Sequence, residues 1–135
     1  MTESATRHTS SLRVYWEDTD AGGVVYHANY LKFFERARTE WLRALGIGQE
    51  RMLAETNRIF VVVQTALRYA APARLDDVIE VSVALAALGG ASLELAQHAT
   101  RDGMLLAEGT IRIGCVESGT FRPRRIPNAI LERLA

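Results

Sequence analysis

The sequence predicts an α+β fold in which one long amphipathic helix packs into a single curved antiparallel sheet. Three observations lead there. From about Ala28 to Leu45 the apolar residues Tyr30, Phe33, Phe34, Ala37, Trp41 and Leu45 keep the spacing of one helical face. Nearly everything from Ile59 to Val116 is strand-like, rich in valine, isoleucine and leucine. Gly89-Gly90 and Arg101-Asp102-Gly103 then cut that stretch into hairpins, because glycine accepts a positive φ.

In chain order, residues 11–17 alternate as a strand would. Leu12, Val14 and Trp16 share one face, and Arg13, Tyr15 and Glu17 the other. An acidic, glycine-containing loop leads into the long helix, which Gly46 and Gly48 end. A shorter helix is expected over Gln49–Glu55. Strands follow from Ile59 towards Tyr69, where Pro72 stops the run, and then over Val78–Leu88, Ser92–Thr100 and Met104–Val116. These four read as an antiparallel meander. Pro127 suits the first turn of a terminal helix reaching Ala135. Residues 1–135 read as one domain, with 1–10 as a flexible tail. A single sheet layer leaves its edge strands open unless another copy covers them, so a homodimer or homotetramer is expected.

Composition narrows the function. The 135 residues are 48% apolar and 24% charged, which suits an ordinary soluble domain. Sixteen basic and sixteen acidic side chains cancel, arguing against bulk binding to nucleic acid or a membrane surface. Any anionic ligand must meet a local cluster. The one cysteine, Cys115, lies in an apolar run and reads as a small buried residue, while three scattered histidines offer no metal-ligand spacing. No signal peptide and no run of membrane-spanning length stands out, so the expected compartment is the cytoplasm.

The most informative segment is Asp18-Thr19-Asp20-Ala21-Gly22-Gly23-Val24-Val25-Tyr26-His27-Ala28-Asn29-Tyr30. It puts carboxylates, a double-glycine turn and a helix start within a dozen or so residues. A carbonyl under attack needs a group to deliver oxygen and donors for the developing negative charge, and a helix N-terminus offers such donors. From the residues alone, Asp20 fits either that chemistry or a turn. Gly22-Gly23 fits a turn, with close approach of a substrate to bare backbone as an added use.

That segment resembles the signature of hotdog-fold acyl-CoA thioesterases of the 4-hydroxybenzoyl-CoA thioesterase type. It is more similar still to the bacterial branch associated with the Tol–Pal cell-envelope system. Phe33-Phe34-Glu35-Arg36-Ala37-Arg38 with Trp41-Leu42, Leu45-Gly46, and Tyr69-Ala70-Ala71-Pro72-Ala73-Arg74-Leu75-Asp76-Asp77 extend the likeness from Leu12 to about Pro127. The resemblance implies the hotdog fold, a long central helix wrapped by a curved antiparallel sheet. It implies hydrolysis of acyl-CoA with a short aliphatic or aromatic acyl group, and acyl carrier protein conjugates as a further substrate class. No cofactor is implied, since CoA belongs to the substrate. Asp20 would be the essential carboxylate; Asp18, read from the residues, has a structural or solvated role near the strand end. His27 would present its backbone N–H to the thioester oxygen, with its side chain in second place. Gly22 and Gly23 would admit the thioester and Tyr26 would line the acyl pocket, whereas Tyr30 packs in the core. Arg68 and Arg74, with the tail cluster Arg122, Arg124 and Arg125, are the local basic clusters that a CoA phosphate could meet, the other reading being a solvated basic tail. Glu35 and Glu40 are expected to pair with arginines one turn away.

Two other function classes stand beside this one. A hotdog dehydratase needs a histidine–acid pair to remove and return protons, and no second histidine is placed for it. A non-catalytic adaptor of the envelope or lipid-synthesis machinery has no need of Asp20.

Overall fold

The computed structural model describes residues 7–135. Five strands and three helices appear in the order β1 (Arg7–Arg13), α1 (Asn29–Ala44), α2 (Gln49–Thr56), β2 (Arg58–Tyr69), β3 (Val78–Leu88), β4 (Ser92–Arg101), β5 (Met104–Glu117) and α3 (Asn128–Leu134). They build one antiparallel sheet of order β1-β3-β4-β5-β2, with α1 against its concave face. This α+β arrangement of central helix and wrapped sheet is the hotdog fold expected from the sequence.

Helix α1 forms because its apolar side chains fall on one stripe. Phe33, Phe34, Ala37 and Trp41 are all at most 2% exposed and meet Ile79, Val81, Leu95, Leu106 and Ile111 of the sheet. Burying each large side chain contributes about 1.5–3 kcal/mol. The sheet comes very close to the helix at Gly109: a Cβ there would collide with Leu67 and crowd Phe34. Gly46, at φ +79°, ends α1, after which the Ile47 N–H returns to the Leu42 carbonyl.

Three expectations need correction. The N-terminal strand is β1, Arg7–Arg13, rather than residues 11–17, so Arg7–Ser10 are strand and not tail; residues 1–6 lie outside the described residues. The chain turns out of β1 into a single 3-10 turn at Trp16–Asp18 because the Asp18 carboxylate accepts the Tyr15 N–H at 2.8 Å. Trp16, expected on the buried face, is therefore 79% exposed. Finally, the four later strands are no simple meander. Only β3-β4-β5 run on as neighbours; β2 sits beyond β5 at one edge and β1 beside β3 at the other. Residues 70–77 make the crossing. Three strand spacings of about 4.8 Å are well within the reach of such a segment at about 3.3 Å per residue.

That crossing segment also supports the loop before α1. Val25 donates to the Ala73 carbonyl (2.8 Å), Val24 bridges to Arg74, and Val14 donates to Asp77 (2.8 Å). Asp77 in turn accepts the Arg74 N–H at 2.8 Å and Arg101 at 2.7 Å.

Candidate active site

The loop between the 3-10 turn and α1 is a closed hairpin pinned by a Thr19–Val25 bridge. At its base Asp18 is 7% exposed. One of its oxygens accepts the Tyr15 N–H and the other the Asn29 side-chain amide at 2.7 Å, while its carbonyl accepts the Tyr26 N–H at 2.9 Å. A buried carboxylate needs such partners. Asp18 therefore ties the 3-10 turn to the first residue of α1, the structural rather than the solvated of the two roles expected of it.

Two residues on, Asp20 stands at the tip and is exposed. Its N–H donates to Val24 and its carbonyl accepts from Gly23. Oδ1 accepts the Gly22 N–H at 2.8 Å, whereas Oδ2 takes no hydrogen bond among the described residues. Both glycines are fitted to this turn. Gly23 has φ +81°, and a Cβ at Gly22 would lie 3.2 Å from Asp20 Oδ1. Asp20 is thus held by one oxygen, with the other available. It faces an open hollow of about 560 Å³ lined by Trp16, Thr19, Ala21, Gly23 and Leu75.

His27 precedes the first turn of α1. Its carbonyl accepts the Tyr69 hydroxyl at 2.9 Å, and its ring lies between those of Tyr26 and Tyr69, at centroid distances of 4.6 and 6.2 Å. Its backbone N–H donates to no group among the described residues. No side chain caps this end of the helix. A carboxylate and an open donor at a helix N-terminus thus stand on one pinned loop.

The thioesterase-like superfamily matches residues 14–134, nearly the whole chain and all of this loop. The chain belongs to that superfamily. It is 44% identical over 119 residues to the acyl-CoA thioesterase YbgC of Haemophilus influenzae, covering 88% of each chain. It is 44% identical over 121 residues to the acyl-CoA thioester hydrolase YbgC of Escherichia coli O157:H7, covering 89% of this chain and 90% of that one. Among solved structures, a probable thioesterase from Bartonella henselae superposes with a TM-score of 0.86 at 32% identity, covering 90% of this chain and 99% of that one.

The thioesterase loop gathers some of the other expected residues and leaves others out. Tyr26 is 48% exposed beside His27. Tyr30 is buried at 3% as expected, and burial, then the neighbouring Tyr69, push its hydroxyl pKa up. Arg74 is exposed and adjoins the loop through its bridge to Val24. Arg68 is not brought to the site. Leu67 packs against the core while Arg68 pairs with Glu108 at 2.7 Å, and alternation along β2 sends Arg68 to the opposite face from Tyr69. The tail arginines also lie apart. Arg124 pairs with Glu117, and the Arg125 carbonyl accepts Arg58 at the end of β2 opposite Tyr69. Glu40 pairs with Arg43 as expected, but Glu35 accepts the Thr39 hydroxyl instead of an arginine. Cys115 is buried, which raises its thiol pKa. No cluster of three or more metal-ligating side chains occurs among the described residues.

Sequence reasoning passed over Asn29, Tyr69 and the pair Arg38–Gln97. Gln97 is fully buried, donates to the Phe34 and Ser82 carbonyls and accepts Arg38 at 3.0 Å. Arg38 borders a separate cavity of about 120 Å³ with Trp41, Phe60 and Leu95, and burial lowers its pKa. The one available signal was a glutamine at an inward position of the alternating run Leu93, Leu95, Gln97, Ala99.

Proposed function

We propose that this chain is an acyl-CoA thioesterase in which Asp20 is the reacting carboxylate and the His27 backbone N–H receives the developing oxyanion. The observation that carries the reading is the pairing, on one pinned loop, of an exposed carboxylate having an unengaged oxygen with an unengaged helix N-terminal donor. A thioester carbonyl is already activated, because sulfur donates weakly into it and thiolate leaves readily. One carboxylate then suffices. In one route an Asp20 oxygen attacks the carbonyl carbon, the C–S bond breaks, CoA leaves as thiolate and is protonated, and water cleaves the mixed anhydride. In the other, Asp20 takes a proton from the attacking water. Both yield one free acid and one CoA thiol, and both build negative charge on the carbonyl oxygen at the start of α1, where the helix dipole favours it. The His27 imidazole, tilted against Tyr26 and edge-on to Tyr69, orients rather than reacts.

The names of the YbgC relatives support CoA as the carrier. Exposed Arg74 beside the loop is the candidate for a CoA phosphate, and Gly22, Gly23 and Tyr26 border the reacting group. The acyl group is short aliphatic or aromatic, with carrier-protein thioesters as a second substrate class, and the reaction needs no cofactor. Two edge strands and exposed Val62 and Val63 on β2 favour assembly as a homodimer or homotetramer. A cytoplasmic enzyme of the Tol–Pal-associated branch fits this reading, and no helix among the described residues is long and apolar enough to cross a membrane. The test is CoA thiol release from short aliphatic and aromatic acyl-CoAs by wild type and Asp20→Asn. Turnover that falls by about 10²–10⁴ in the variant supports the reading; equal turnover by both proteins contradicts it.

A further inference from the structure

We propose that Trp16 sets acyl specificity: its indole, with Leu75, forms the apolar wall against which the acyl group lies while Asp20 acts. The inference rests on the reading of Asp20 given above. Trp16 is 79% exposed, higher than any other large apolar side chain among the described residues, and it sits in the 3-10 turn that Asp18 holds in place. It is therefore a large apolar surface on a fixed support. It shares one hollow with Asp20 and Leu75, itself 37% exposed. A thioester reacting at Asp20 puts only its nearest atoms into that hollow. The adenine nucleotide carries phosphates, which suit the Arg74 guanidinium and not the apolar pair Trp16 and Leu75. Of the two groups next to the sulfur and carbonyl, the pantetheine side carries amides that need hydrogen-bond partners. The acyl side is carbon, and an indole facing a leucine suits carbon.

The two tryptophans give the test a clean signal, since Trp41 is 1% exposed inside α1 and Trp16 is at the surface. Fluorescence is titrated in Asp20→Asn, where the ester persists, with butyryl-CoA, benzoyl-CoA and free CoA. Hydrolysis of the same esters is measured in wild type, Trp16→Phe and Trp16→Ala, together with oligomeric mass. The expected result is a blue shift of the exposed tryptophan with the esters and little change with free CoA. Trp16→Phe should abolish the shift and lose less activity than Trp16→Ala. Trp16→Ala should lower kcat/KM by about tenfold or more, the effect of losing an apolar contact, and change the ranking of the two esters. An equal shift with free CoA, an unchanged ranking in Trp16→Ala, or activity lost together with oligomeric mass would overturn the proposal while Asp20-dependent turnover stands. Absence of wild-type turnover on both esters would instead bring down the thioesterase reading along with it.

Discussion

The two ends of α1 are finished in opposite ways. At the C-terminal end Gly46 turns the chain back, and the Arg133 guanidinium reaches across from α3 to donate to the Leu45 and Gly46 carbonyls at 3.4 and 2.7 Å. A cation at that end also complements the helix dipole. At the N-terminal end the N-cap position is an alanine, and among the described residues no side chain caps the helix and the His27 N–H has no acceptor. One end is closed for stability. The other leaves a donor unengaged among the described residues. The same contrast recurs within the loop, where Asp18 is buried with both oxygens engaged and Asp20 is exposed with one available.

Closing the open end should therefore cost activity. Ala28→Asp places a fixed negative charge at the N-terminus of α1. It should raise stability by about 0.3–1 kcal/mol. It should also lower kcat on the order of tenfold to a hundredfold by repelling the oxyanion, part of the hundred- to thousandfold that such a donor supplies. Parallel thermal melts and thiol-release assays read both effects, and unchanged kcat would break the contrast between the ends.

A smaller effect comes from the support behind the loop. The Arg74 N–H, and beyond it Arg101, hold the Asp77 pKa below its ordinary value against the opposing effect of burial. A depressed carboxylate adds stability above its unfolded pKa of about 4 and loses it as pH falls through the lower folded value. Wild type should thus lose melting temperature on acidification below about pH 4 more steeply than Asp77→Asn. Parallel acid limbs for the two proteins would count against it.

Smallest of the three is Arg133→Ala. It opens the closed end, and should lower stability by about 0.5–1 kcal/mol while leaving kcat alone. A fall in kcat larger than about twofold would mean that the C-terminal end also serves the reaction.

The helices and later strands were legible because their apolar periods are local. Phe33, Phe34, Ala37 and Trp41 announce one helix face, and Gly103 a hairpin. Three things were hidden because they depend on hydrogen bonds or on residues distant in sequence. The alternation of Leu12, Val14 and Trp16 continues past the point where Asp18 captures the Tyr15 N–H, so the strand seemed longer than it is. The position of β2 beside β5 rests on pairings such as Arg58 with Glu117, which no local pattern encodes. The ion pair of Arg68, a candidate phosphate ligand, with Glu108 spans forty residues that no local pattern joins. The Asp20 segment was visible only because its residues are contiguous. Its unengaged oxygen and donor were not.

The most direct measurement compares Asp18→Asn with Asp20→Asn for both melting temperature and thioester turnover. Asp18→Asn keeps one acceptor oxygen for two donors, the Tyr15 N–H and the Asn29 amide, and should cost about 1–3 kcal/mol of stability. Asp20→Asn should keep the wild-type melting temperature, since an amide oxygen still accepts from Gly22, and lose about 10²–10⁴ in kcat. A folded Asp20→Asn protein with wild-type turnover, or an Asp18→Asn protein that melts normally but no longer turns over, would assign the chemistry to the wrong carboxylate.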